Sequence, residues 1–63
     1  MSVEKYKETL RTQIDNTELE IQALTNDYHA ATDDITKSQI KTFLEKKQAL
    51  ILNLMERYNG IIR

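Results

Sequence analysis

The chain has 63 residues, no cysteine, no proline, one glycine and one histidine, and its nine basic and ten acidic side chains leave a net charge of −1. This excludes disulfides, thiolate metal sites and a histidine-anchored zinc cluster, and it leaves no global positive field to draw the chain onto nucleic acid or an anionic membrane. A domain this short buries only about 60% of the surface its unfolded chain exposes, so association is the expected source of the missing core.

With breakers scarce and Leu, Lys, Glu, Gln and Ala abundant, strands are not expected. Val3, Tyr6, Leu10, Ile14, Thr17, Ile21, Leu24, Tyr28 and Ala31 recur at steps of three and four, which aligns them on one face of a helix over about residues 3–30. Ser2 is placed to cap that helix, and Glu4 lies in its first turn, where the dipole favours an anion. The successive steps of four from Tyr6 to Leu10 to Ile14 depart from a strict heptad, which favours bundle packing over a long zipper.

A second helix is expected over about 36–59. Thr36-Lys37-Ser38-Gln39 matches a capping box, with Ile35 and Ile40 at the staple positions; a start at Thr32, with Asp33 and Asp34 in the first turn, is the alternative. Ile40, Leu44, Lys47, Ile51, Leu54, Tyr58 and Ile61 then form a stripe, flanked by Phe43 and Leu50 on one side and Met55 and Ile62 on the other. Asn59-Gly60 predicts a left-handed stop, after which Ile61 folds back onto Met55 and, with Ile62, closes one end of the core. A single unbroken helix of about 90 Å, paired as a coiled coil, competes with this reading. The internal cap, the polar Thr32-Asp33-Asp34 cluster and the mismatched register of the two stripes argue against it.

The expected fold is therefore all-α: an antiparallel two-helix hairpin, coiled-coil-like, in one domain over 1–63. It completes a four-helix bundle by dimerisation or by binding a helical partner. The charges agree, since residues 1–31 carry three basic and six acidic side chains and residues 32–63 carry six and four. Halves of opposite sign suit mutual packing.

Function is expected at Ala49-Leu50-Ile51-Leu52-Asn53-Leu54-Met55, where six of seven residues are apolar. Leu52 lies roughly opposite Leu54 on the helix circumference, so a second surface is expected to be covered there by another chain. The candidate protein-binding residues are Leu50, Ile51, Leu52, Leu54, Met55 and Tyr58, the partner being a second copy or a helical protein. Tyr6 and Tyr58 are expected to approach each other at the open end of the hairpin, with Tyr28 at the turn. Lys47 interrupts the stripe and is expected to extend its stem toward Glu18 or Glu20.

His29 with Asp27, Asp33 and Asp34 has no metal-ligand spacing and no calcium-loop glycine, so short acidic caps explain these residues. No nucleophile, base and orienting group come together in sequence, and no enzyme, cofactor or metal is expected. Lys37, Lys41, Lys46 and Lys47 make the second helix partly basic. Glu45 interrupts them and no aromatic lies among them to stack a base, so RNA regulation is the lesser alternative. The absence of cysteine and of an apolar signal or span predicts a soluble, cytoplasmic protein.

In layout the whole chain, with Phe43, then Ala49-Leu50, then Tyr58 and Gly60, resembles the small helical-hairpin co-chaperones of type III secretion needle subunits. The resemblance implies a non-enzymatic protein that shields an aggregation-prone secretion subunit together with a second chaperone. A phage or plasmid inhibitor of a host protein would use the same kind of surface.

Overall fold

A computed structural model describes residues 2–62, the side chain of Ile62 excepted. Helix α1 spans Val3–Ala30 and helix α2 spans Asp34–Ile62. Ser2 caps α1 as expected, its hydroxyl accepting from the Lys5 amide at 3.2 Å.

The chain folds back on itself. Contacts pair Lys7 with Tyr58, Glu20 with Lys47 and Tyr28 with Lys37, a descending series that only antiparallel helices produce. The hairpin measures 47 × 16 × 14 Å, which matches helices of 28 and 29 residues lying side by side. One unbroken helix is thus excluded.

The reversal is made by Ala31, Thr32 and Asp33. Ala31 turns extended at φ −69° and ψ 135°, while its amide still donates to the Asp27 carbonyl at 2.9 Å. The next helix begins two residues before Thr36, and neither expected cap starts it. Asp33 is the cap: its carboxylate accepts the Ile35 and Thr36 amides, both at 3.2 Å, and the Thr36 hydroxyl at 2.6 Å. A carboxylate has lone pairs for all three donors and carries the charge that a helix N-terminus favours, so it outcompetes the neutral threonine. Ile35, expected to staple the start, is 70% exposed.

The other end also differs. Gly60 does not stop α2, which runs on through Ile62, and none of the described residues has positive φ. Ile61 stays in helical register and packs against the core instead of folding back onto Met55. Burial of that side chain along the Leu54–Tyr58 row rewards continued helix over a left-handed turn. The expected closure by Ile62 concerns a side chain outside the described residues.

The core is small. Leu10 and Ile14 of α1 meet Ile51 and Leu54 of α2, with Ile21, Met55, Tyr58 and Ile61 packed around them. Thr17 is also buried, and its hydroxyl donates to the Gln13 carbonyl at 2.7 Å. Toward the turn, Leu24, Tyr28, Ile40 and Leu44 are only half-buried, while Val3 and Tyr6 at the open end are exposed.

Candidate functional site

At about 100° per residue, a side chain seven positions along a helix returns within about 20° of its starting direction. Phe43 and Leu50 therefore share one flank of α2, beside the core stripe of Leu44, Ile51 and Tyr58. They are 54% and 43% exposed, so this flank is apolar and unpartnered within the chain. Below Leu50 runs an open groove of about 400 Å³, lined by Gln13, Asn16, Thr17 and Glu20 of α1 and by Leu50, Leu54 and Arg57 of α2.

The six residues singled out from the sequence separate here into two groups. Ile51 and Leu54 are buried in the hairpin's own core, and Met55 and Tyr58 are half-buried against it. They hold α2 to α1, and another protein reaches them only at their edges. Leu50 and Leu52 remain exposed. They point in nearly opposite directions, two residues apart, and do not form one surface.

Leu52 is 62% exposed. One turn away stand Gln48, Ala49 and Glu56, all exposed, and the half-buried Met55, which joins Leu52 to the edge of the core. Leu19 and Ile35 are exposed to a similar extent. Single exposed leucines are ordinary. Phe43, which the sequence reading treated as a flank of the core stripe, is the residue that joins Leu50 into a patch. Its signal was the seven-residue step to Leu50.

Polar contacts fix how the helices meet around this patch. The Lys47 ammonium reaches Glu20 at 2.5 Å, as the interrupted stripe suggested, and both side chains keep substantial contact with water. Lys37 lies over the Tyr28 ring at 5.8 Å near the turn. The expected approach of Tyr6 to Tyr58 is replaced by Lys7, whose ammonium lies 5.9 Å over the Tyr58 ring. The one aromatic pair among the described residues is the edge-to-face contact of Tyr28 with its neighbour His29 at 5.8 Å.

A wider groove of about 520 Å³ at the open end is lined by Glu4, Lys7, Glu8, Arg11, Thr12 and Tyr58. Acidic and basic side chains alternate along it, with Lys7 over the Tyr58 ring and Arg11 paired with Asp15. Among the described residues, no three His, Asp or Glu side chains gather as metal ligands, and no helix is long and apolar enough to cross a membrane.

The exposed surface is large for the mass. The chain exposes 5041 Å², whereas a compact monomer of 7.4 kDa is expected to expose about 4,200 Å². The excess, roughly 800 Å², follows from the elongated 47 × 16 × 14 Å shape of two helices side by side. No family model, curated protein or solved structure matches this chain.

Proposed function

We propose that this hairpin is a non-enzymatic protein-binding module that acts through the Phe43–Leu50 flank of α2. The observation that carries the reading is an apolar flank left unpartnered on a helix whose other apolar face is already used by the hairpin core. A two-helix core with four buried apolar side chains among the described residues leaves little stability in reserve, so covering Phe43 and Leu50 with another helix both stabilises the hairpin and confers recognition.

Within this class the co-chaperone role implied by the sequence resemblance fits a helix flank that covers an aggregation-prone segment. Inhibition of a host protein would use the same flank. RNA binding is the weaker reading, because the lysines of α2 are interrupted by Glu45, and Lys47 is already neutralised by Glu20.

The test uses the chain and its F43E/L50E variant as baits in extracts of the native source, after circular dichroism shows that both are helical. The reading expects protein partners held by the unmodified chain and lost by the variant. Identical captures by both baits, or salt-sensitive retention of RNA in their place, would refute it.

A further inference from the structure

We propose that Asn59 is a site of spontaneous deamidation, and that its isoaspartate product frees Ile61 from the core and opens the end of α2 as the protein ages. The site lies apart from the Phe43–Leu50 flank and does not depend on what that flank binds.

Asn59-Gly60 is a sequence signal that the fold leaves unused, since no left-handed turn forms there. The pair keeps the reactivity of an asparagine followed by a residue without a Cβ. The Gly60 amide nitrogen attacks Cγ of Asn59; a new C–N bond forms, the bond from Cγ to the side-chain nitrogen breaks, and ammonia leaves with the amide proton. Water then adds to one of the two carbonyls of the resulting succinimide. Opening at the side-chain carbonyl gives aspartate, and opening at the backbone carbonyl gives isoaspartate, with no oxidant or reductant consumed.

Both residues are exposed, and a Cβ built on Gly60 would meet nothing within 4 Å, so the space beside the attacking nitrogen is open to solvent. The other asparagines, Asn16, Asn26 and Asn53, are helical too, but Thr17, Asp27 and Leu54 follow them with a Cβ that crowds the attack. Helical geometry commits the Gly60 amide to the carbonyl four residues back, so the last turn must open before the reaction starts. Glycine favours that opening more than any other residue type in α2.

The consequence follows from packing. Ile61 reaches the core because α2 stays in register through residues 59 and 60. Isoaspartate routes the backbone through an extra methylene, which breaks the helical repeat between Tyr58, whose ring lies under Lys7, and Ile61. The new carboxylate also stands near a helix C-terminus, where the dipole disfavours an anion, and the last turn holds no basic side chain among the described residues to offset it.

The test follows the unmodified chain for weeks at neutral and mildly alkaline pH by peptide mapping, which separates asparagine, aspartate and isoaspartate at each position. Asn59 is expected to convert at least about tenfold faster than Asn16, Asn26 or Asn53, and faster still in urea, where the last turn is open. G60A should slow the conversion by about tenfold in urea as well, where helix propensity plays no part and only the added Cβ acts. A synthetic chain carrying isoaspartate in place of Asn59 should melt below both the unmodified chain and N59D at equal chain concentration.

Similar rates at all the asparagines, or a rate in urea indifferent to G60A, would overturn Asn59 as the site. A native rate equal to the rate in urea would overturn its gating by the last turn. An isoaspartate chain that melts with the unmodified one would overturn the release of Ile61.

Discussion

Replacing Gly60 by alanine puts two physical rules in direct opposition. By the sequence rule glycine after asparagine marks a left-handed stop, and there an alanine would cost about 1–2 kcal/mol through its Cβ. In the structure Gly60 is a helical residue without positive φ, and a Cβ built on it meets nothing within 4 Å. Alanine then avoids the excess backbone entropy of glycine, a gain of about 0.5–1 kcal/mol, at the lower end so close to the terminus. For a domain of this size that is a rise of roughly 2–8 °C in Tm. Thermal and urea melts followed by circular dichroism measure it, at fixed chain concentration because association would also move Tm. The mirror experiment is a synthetic chain with D-alanine at position 60, which should melt lower. If L-alanine lowers Tm and D-alanine raises it, α2 ends at Gly60 and the packing account of Ile61 is wrong.

The remaining predictions concern the cap, the core and the Lys47–Glu20 ion pair. Hydrogen bonds from the Thr36 hydroxyl, then from the Thr36 and Ile35 amides, hold the Asp33 carboxyl below its usual value of 3.8. A lowered folded-state pKa contributes stability that is present above the unfolded value and lost as pH falls through the folded one, so Asp33→Asn should flatten the stability profile below about pH 4. Native and variant profiles that run parallel there would remove Asp33 as the cap. Leu10→Ala, at a side chain only 1% exposed, should cost about 2–5 kcal/mol, enough to unfold so small a hairpin at room temperature; retention of full helicity in dilute buffer would count against this core. A double-mutant cycle on Lys47 and Glu20 should give a coupling of about 0.2–1 kcal/mol that shrinks with salt, and a larger, salt-independent value would mean that the pair is shielded from water.

Most of the fold was legible in the sequence because it rests on local periodicity. The stripe from Leu10 through Tyr28 placed α1 at its observed limits of Val3–Ala30, and the polar break at Thr32–Asp34 placed the reversal. Lys47 inside an apolar stripe pointed to an acidic partner across the interface, and Glu20 is that partner. A helix can be read this way because its hydrogen bonds and its apolar spacing repeat within the same few residues.

The ends of α2 and the candidate surface depended on tertiary contacts. Asp33, Thr32 and Thr36 are all acceptable caps on paper; which one serves is settled by the path of the chain out of α1, which sets the Asp33 carboxylate against two amides and a hydroxyl. Gly60 would stop an isolated helix, but Ile61 is held in register by the α1 core. The apolar run from Ala49 to Met55 likewise reads as one sticky segment until α1 is in place. Packing then takes Ile51 and Leu54 into the core and leaves Leu52 exposed on one side of α2 and Leu50 beside Phe43 on the other. Composition and spacing determine that α2 has more apolar surface than one face can use; only the second helix, by covering part of it, decides which residues remain exposed.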